Sequence, residues 1–258
     1  MMKGLVTVTV ITLLWGMMAI AGPLEFFAGA GPSAAALGSI NEGIDVVNII
    51  IGDLNTDPRF DGDVPILPSL GTGLAYSAGE FYWITDRLAL GGELTYFKST
   101  STTSGAYDTV STSEVSNVAL DLQCQSIGLL IGGKFTFLDL GLKLAVDLGV
   151  GYYYSGFNTA ITFEMPSAYN PINIQLPAGE GHYNGSSLGI EGGISLSFPI
   201  TDWLNVGTAV LYRSLTVQHL ADGEGNGFDF DGDGTAEVAD FSGITVRFNI
   251  AVDINLSL

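Results

Sequence analysis

The 258-residue sequence has few of the residues on which disulfide scaffolds, zinc sites and nucleic-acid surfaces depend. Its one cysteine, Cys124, can form neither an internal disulfide nor a multi-cysteine zinc site. Eight lysines and arginines stand against 27 aspartates and glutamates, so the formal net charge is -19 and we expect no nucleic-acid partner. With 47% hydrophobic and 14% charged residues, the chain is too apolar to be intrinsically disordered.

Long hydrophobic runs are also scarce, except at the N-terminus. There a positive start and an apolar run lead to Ala19-Ile20-Ala21, the small-x-small pattern that signal peptidase cleaves. We therefore expect residues 1–21 to be a signal peptide and residues 22–258 to form one domain. A permanent membrane helix over residues 4–24 is the alternative. Later segments contain no run of twenty apolar residues, which excludes further membrane helices.

Alternation of apolar with polar or small residues is the strongest pattern after the signal, and it is typical of β-strands. It is continuous in residues 140–154 and 243–258, so both strands exceed the usual length. Polar stretches predict four long loops, at residues 53–69, 99–117, 157–186 and 219–240. Three short turns lie between them, and two of these share the pattern Ile-Thr-Asp, at 84–86 and 200–202. The sequence thus predicts eight strands, near 23–31, 70–84, 86–98, 118–137, 140–156, 187–199, 203–218 and 241–258.

Alternation alone does not say which face meets water, because a soluble β-sandwich turns its apolar face inward and a membrane barrel turns it outward. The polar face here is rich in small residues such as Gly149, Gly151 and Ala209, which suit the interior of a narrow barrel. Aromatic residues cluster beside the short turns, at the level expected for a membrane interface. We therefore favour a membrane barrel over a secreted sandwich.

This pattern resembles the small outer-membrane β-barrel superfamily, the OmpA-like and OmpW-like group, across nearly all of the chain after the signal. The turns at 84–88 and 200–204 and the closing strand from Phe248 to Leu258 carry the resemblance. It implies an all-β, eight-stranded antiparallel up-and-down transmembrane barrel in the cell outer membrane, with short periplasmic turns and long extracellular loops. It also implies outer-membrane lipid and the barrel-insertion machinery as partners. Barrels of this kind commonly end in an aromatic residue, whereas this sequence ends in Leu258.

With the apolar face outward, ten ionisable side chains are expected in the lumen. Because buried charges persist only when they are paired, we predict an ionic network that ties the barrel walls together. An eight-stranded barrel is just wide enough for side chains to fill, so the lumen is expected to be closed. Scattered surface charges are the alternative, because the assignment depends on strand phase. The predicted network comprises Arg87, Lys134, Lys143, Arg213 and Arg247 with Glu93, Asp121, Asp147, Glu191 and Asp253.

Three places leave the strand pattern ambiguous. Residues 118–137 need a β-bulge near Ser126 to keep their apolar side chains on the lipid face throughout. Glu80 poses a similar phase problem in the second strand. Residues 37–51 have helical spacing, although their valines and isoleucines support a strand over 44–51 almost as well.

One acidic loop resembles the EF-hand calcium loop in its spacing, with glycine at the sharp turn. A curled loop of this kind can deliver the six to eight oxygens that calcium requires. Calcium is therefore the candidate cofactor, with a solvated acidic loop as the alternative. The candidate ligands stand at positions 1, 3, 5, 7, 9 and 12 of the loop: Asp229, Asp231, Asp233, Thr235, Glu237 and Asp240.

We do not expect an enzyme. His182 and His219 are the two histidines, and Glu180 and Ser186 flank the first, yet no spaced nucleophile motif accompanies them. The sequence leaves three functions open: a structural or surface-interaction barrel, a narrow solute or porin-like channel, and a lipid-modifying enzyme. It identifies no external partner.

Overall fold

A computed structural model describes residues 23–164, 179–229 and 234–255. The expected signal peptide and two candidate calcium ligands, Asp231 and Asp233, lie outside the described residues. Among the described residues, no helix has the length and hydropathy needed to cross a bilayer.

Eight antiparallel strands form a closed ring, which confirms the predicted barrel. The ring closes where β4 pairs with β5, and the first and last strands pair along most of their length. Within residues 23–164, 179–229 and 234–255, one helix and three two-residue strands, of which two form a separate small sheet, complete the fold. The elements are β1 Pro23–Ala34, α1 Gly38–Thr56, β2 Phe60–Asp61, β3 Thr72–Trp83, β4 Leu88–Thr109, β5 Val115–Asp139, β6 Lys143–Phe163, β7 Gly179–Pro199, β8 Leu204–Ser214, β9 Thr216–Val217, β10 Ala239–Asp240 and β11 Gly243–Asn255.

The two Ile-Thr-Asp turns have the same hydrogen bonds. Thr85 Oγ1 accepts from the backbone N–H groups of Arg87 and Leu88, at 3.2 and 3.0 Å. Thr201 Oγ1 accepts from the equivalent N–H groups of Trp203 and Leu204, at 3.3 and 3.0 Å. A threonine that satisfies local N–H groups favours a turn over further strand pairing. The third turn contains Gly141 at φ 83, a left-handed conformation that glycine adopts without strain.

Two of the predicted long loops are largely strand in the parts that the structure describes. The stretch 99–117 continues β4 to Thr109 and begins β5 at Val115, and the stretch 157–186 extends β6 and β7. These segments alternate buried and exposed positions, although most of their exposed side chains are polar, with Val110 and Val115 among the exceptions. Their serine and threonine content was the reason for predicting loops. Threonine, however, is a good strand former.

The bulge predicted near Ser126 is wrong. Pairing of β5 with β4 and β6 runs in register through Ser126, and the register shift lies instead between Thr136 and Leu138. Residues 37–51, left open between helix and strand, belong to helix α1. Its buried face carries Ile40, Ile44, Val47, Ile51 and Leu54, which recur at helical spacing.

The barrel has two levels that differ in what they bury. In the lower tier, between the short turns and about Ser126 on β5, the outward face is apolar. The upper tier consists of the extensions of β4 to β7, α1 and the segments 57–71 and 215–242 in their described parts, and there the apolar residues point inward. One continuous sheet therefore has its apolar face outward in the lower tier and inward in the upper tier.

Candidate functional site

An apolar belt surrounds the outside of the lower tier. Large hydrophobic side chains are exposed on seven of the eight ring strands at more than one outward position each, which no water-soluble surface tolerates. A bilayer provides the solvent that such a surface requires, and a closed ring leaves no unpaired strand edge in it. Tyrosines border the belt above, and Phe137, Phe198 and Trp203 border it beside the short turns. The belt comprises Phe26, Leu74, Tyr76, Leu88, Leu90, Leu94, Ile127, Leu129, Ile131, Phe135, Phe137, Leu148, Val150, Tyr152, Tyr154, Leu188, Ile190, Ile194, Phe198, Trp203, Val206, Val210, Tyr212, Ile244, Phe248, Ile250 and Ile254.

Ion pairs cross the lumen of the lower tier. Lys134 Nζ lies 2.5 Å from Glu25 Oε1, which joins β5 to β1 across the ring. Arg247 on β11 pairs with Glu93 on β4 and donates to Ser77 Oγ at 2.7 Å. Both basic side chains also lie over the ring of Phe27, Lys134 at 6.0 Å and Arg247 at 5.1 Å from its centroid. The charges therefore tie distant strands together, although Glu25 was not among the predicted network residues.

The other predicted network residues inside the lumen have weaker links. Asn205 Nδ2 donates to Asp253 Oδ2 at 2.8 Å, and Lys143 lies 5.8 Å from the centroid of the Trp83 ring. Asp147 and Glu191 line a cavity of about 70 Å³ together with both ion pairs. Within the described residues, one oxygen each of Asp147, Asn249 and Asp253 is buried without a hydrogen-bond partner. A few water molecules fit such a cavity and can satisfy these atoms.

Two predicted network residues lie outside the lumen. Arg87 is exposed in the turn between β3 and β4. Asp121 is exposed on the outer face of the upper tier, because the strand phase continues unbroken through Ser126. A third, Arg213, marks the boundary between the tiers: it is 2% exposed, its Nε donates to Phe241 O at 3.0 Å, and it lies over the Phe97 ring.

The interior of the upper tier is a hydrophobic core. The buried face of α1 packs into the half-barrel formed by β4 to β7, and the described parts of the segment 215–241, residues 215–229 and 234–241, cover the remaining side. The rings of Phe157 and Phe228 pack at a tilt of 45° with centroids 4.6 Å apart, and Phe97 meets Phe241 edge to face. The core includes Phe97, which lies under the Arg213 guanidinium, and Leu130, which also lines the lumen cavity, so it closes the interior directly above the polar lumen.

Three asparagines fix the extended segment 64–70 to helix α1. Each uses its side-chain amide to donate to one backbone carbonyl and to accept from the N–H of the same residue. Asn41 binds Leu70, Asn48 binds Leu67 and Asn55 binds Val64, with all six distances between 2.7 and 3.0 Å. Seven helical residues rise about as far as three residues of polyproline-like chain, which explains the matched spacing. We name these side chains the asparagine ladder.

Strand β4 holds the same segment from the opposite side. Ser101 Oγ donates to Pro68 O and Thr103 Oγ1 donates to Pro65 O at 2.5 Å. Tyr107 OH donates to Asn55 Oδ1 at 2.7 Å, which links β4 to the ladder. The backbone of segment 64–70 is therefore satisfied by side chains on both sides, and it fills the edge of β4 that extends beyond β3.

Burial raises the pKa of Tyr107 and of Cys124 in the upper tier. It raises the pKa of Tyr107 to about 12, with a further contribution from the nearby Asp63 carboxylate. It also raises the pKa of the Cys124 thiol to about 12, because the charged thiolate would be desolvated. Both side chains are fully buried and neutral at physiological pH.

The candidate calcium loop is described only in part. Gly234 N donates to Asp229 Oδ2 at 2.8 Å, and Gly234 has φ 86, so the loop turns sharply at the expected glycine. Asp240 Oδ1 accepts from Ser242 N at 2.9 Å, and Glu237 is 7% exposed. Within the described part of the chain, no three acidic, histidine or cysteine side chains are grouped to hold a metal ion. Calcium binding stays a prediction.

The histidine considered for catalysis is an exposed residue of the outer wall. His182 Nδ1 lies 3.0 Å from Asn158 Oδ1 on the neighbouring strand. Glu180 and Ser186 are exposed on the same strand, β7. At about 3.3 Å per residue, Glu180 and Ser186 lie roughly 20 Å apart along the strand, too far to act together with His182 on one substrate atom.

Solved structures with a similar fold are small outer-membrane β-barrels. A major outer membrane protein from Thermus thermophilus is 15% identical, with 91% of this chain and 100% of that chain covered and a TM-score of 0.46. Neisserial surface protein A is 11% identical, with coverage of 90% and 98% and a TM-score of 0.43. OprG from Pseudomonas aeruginosa is 11% identical, with coverage of 91% and 97% and a TM-score of 0.39. No protein-family model and no curated protein sequence matches the chain.

Proposed function

We propose that the protein is a closed outer-membrane barrel that anchors an acidic surface module, of structural or surface-interaction type. The short turns then face the periplasm and the upper tier stands above the outer leaflet. The observation that carries this proposal is the hydrophobic core of the upper tier, which fills the barrel directly above the polar lumen. A solute path would have to pass through packed side chains, so the channel interpretation is the less favourable one.

Conductance across a planar bilayer tests the closed state. We expect the full chain to show no steady single-channel current, because both the ionic lumen and the apolar core block the path. A large and steady conductance would contradict the proposal and favour the porin-like alternative. Heat-modifiable gel mobility would first establish that the reconstituted protein is a folded barrel.

Charge on the upper tier indicates the chemistry of a surface partner. Its outer wall is polar, with Thr100, Thr102 and Ser104 exposed on β4 and Asn117 and Asp121 exposed on β5. Basic residues are few there, and one of them, Arg59, pairs with Asp57 at 2.6 Å. Acidic residues dominate the described upper tier: Glu42, Asp45, Asp53, Asp57, Asp61, Asp63, Asp108, Glu114, Asp121, Glu164, Glu180, Asp222, Glu224, Asp229, Glu237 and Asp240.

Such a surface is complementary to a basic partner. We expect cells or vesicles that carry the protein to bind poly-lysine in a salt-dependent manner and to ignore heparin, a polyanion. Preferential binding of heparin would contradict this part of the proposal. An asparagine or glutamine variant of Glu42, Asp45 and Asp53, which are exposed on α1, should weaken poly-lysine binding without changing gel mobility.

Calcium binding and the absence of catalysis complete the proposal. Calcium would rigidify the loop 219–240, and calorimetry that shows no uptake at millimolar concentration would remove that role. We propose no enzymatic role for His182. Lipid-modifying activity that disappears in His182→Ala would contradict this.

A further inference from the structure

Glu80 places a carboxylate on the lipid-facing side of the barrel. The outward positions of β3 are Leu74, Tyr76, Ala78, Glu80 and Tyr82, since the alternate positions from Ala75 to Phe81 are turned inward. Among the described residues, Glu80 is the only charged side chain that faces outward between the short turns and the tyrosines at the top of the belt. It has no hydrogen-bond or ion-pair partner in the described part of the chain. An ionisable side chain in a membrane-facing position is costly unless it finds a complementary group.

The surface beside Glu80 is a notch. Its cross-strand neighbours are Phe26 on β1 and Gly92 on β4. A Cβ added to Gly92 would approach only the carbonyl oxygen of Leu130, at 3.6 Å, so the space over Gly92 is open. Ala78 adds a second small side chain on the same face. A ligand group can therefore reach the carboxylate from the side of β4.

Two features indicate what occupies the notch: its continuity with the apolar belt and the negative charge of Glu80. Large apolar side chains surround the notch, including Phe26 and Leu94, so lipid covers this face. Glu80 lies one outward position above Tyr82, a rise of roughly 5 Å along the membrane normal for a tilted strand, which is within reach of the headgroups beside the short turns. A carboxylate there requires a cation with N–H donors, because a charge-assisted hydrogen bond offsets its desolvation.

We propose that Glu80 and the notch over Gly92 bind the primary ammonium headgroup of an ethanolamine phospholipid. A choline headgroup has no N–H to donate, and phosphatidylglycerol carries a net negative charge. Neither lipid can therefore replace ethanolamine phospholipid beside the carboxylate. This inference rests on the proposed membrane placement of the belt. The carboxylate thereby fixes the depth of β3 at the periplasmic side of the membrane.

Native mass spectrometry of lipid carried over from vesicles tests this site. The full chain is reconstituted in vesicles of equal parts phosphatidylethanolamine and phosphatidylcholine, and the lipids that remain bound after detergent extraction are counted. We expect about tenfold enrichment of ethanolamine over choline lipid, the factor that one charge-assisted hydrogen bond provides. Glu80→Gln should abolish the enrichment, and Gly92→Val, which fills the notch but keeps the carboxylate, should reduce it.

Asp86→Asn is the matched control, because it removes an equal charge from the exposed turn that follows β3. It should retain the enrichment of the wild-type chain. Equal retention of both lipids by the wild type, or unchanged enrichment in Glu80→Gln, would overturn the inference while leaving the barrel in the membrane. Co-purification of a basic protein instead of lipid would assign the notch to another partner and also overturn it. A chain that does not insert into vesicles would overturn the membrane placement and this inference together.

Discussion

At the scale of single residues, side-chain amides and hydroxyls supply the hydrogen bonds that strand pairing supplies elsewhere in the barrel. Segment 64–70 contains two prolines, Pro65 and Pro68, which cannot donate hydrogen bonds to a neighbouring strand. The asparagine ladder and two hydroxyls of β4 satisfy its backbone instead. Each amide both donates and accepts, so losing one leaves two backbone groups without a partner.

Replacing the central asparagine tests the ladder. Asn48→Ala leaves the buried N–H and C=O of Leu67 unsatisfied, and we expect the free energy of unfolding to fall by about 1–3 kcal/mol. Asp45→Ala, an exposed position on the same helix, should change it by less than about 0.5 kcal/mol. Urea unfolding in detergent measures both variants, and equal losses would show that the ladder contributes little.

The buried Cys124 thiol and Tyr107 phenol make the stability of the protein depend on pH in a defined direction. The folded-state pKa values of Cys124 and Tyr107 lie above their ordinary values of 9.0 and 10.0, at about 12. The unfolded chain therefore releases these protons first, and stability declines as the pH rises from about 9 towards 12. The decline amounts to at most about 1.4 kcal/mol per pH unit for each group.

Unfolding midpoints at increasing alkaline pH measure this decline. Cys124→Ala should make it shallower, although the variant itself is less stable because it leaves space in the core. A wild-type stability that is constant or rises above pH 9 would contradict the burial of both groups. Slow reaction of Cys124 with thiol reagents below pH 8 is expected for the same reason.

At the scale of elements, strand β5 shows how one continuous strand serves two environments. In the upper tier its inward residues are apolar, as at Leu120 and Leu122, and its outward residues include Asp121. In the lower tier the outward residues are apolar, as at Ile127 and Leu129. The strand keeps its phase, and the apolar residues change sides because the surroundings change from water to hydrocarbon.

Two neighbouring substitutions test this arrangement. Leu122→Ala removes a fully buried side chain from the upper core and should cost about 2–5 kcal/mol. Asp121→Ala changes an exposed position and should cost less than about 0.5 kcal/mol. Unfolding in detergent distinguishes them, and a larger loss for Asp121→Ala would mean that the strand phase is inverted.

This change of sides also explains what sequence could and could not predict. Strand number, the short turns and the lower-tier lumen positions followed from alternation and from the repeated Ile-Thr-Asp pattern. The bulge at Ser126 was inferred because one environment was assumed for the whole strand, and the same assumption put Asp121 in the lumen. Glu25 was missed because its strand is rich in small residues and its partner Lys134, three strands away around the ring, is not specified by sequence. The ladder follows from Asn41, Asn48 and Asn55 at seven-residue spacing, a signal that is readable once a helix is assumed.

At the scale of the whole molecule, the upper tier can be separated from the ring by design. Ala35 N donates to Gly71 O at 2.7 Å, so the ends of β1 and β3 are adjacent where α1 and segment 57–70 depart. A chain in which residues 36–70 are replaced by a short glycine-serine linker keeps all eight ring strands. We expect it to remain a heat-modifiable barrel in which Cys124 becomes reactive, because half of the upper core is removed. Continued protection of Cys124 would show that α1 is not what seals the interior.

The outer wall of a single sheet faces hydrocarbon in the lower tier and water in the upper tier. Fluorophores attached to cysteines at two outward positions of β5, Ile131 and Asp121, test it most directly in a Cys124→Ser background. In vesicles, brominated acyl chains should quench the probe at Ile131 and leave the probe at Asp121 unaffected, whereas aqueous iodide should quench only the probe at Asp121. Quenching of both probes by iodide, with the protein remaining a soluble monomer, would contradict the account.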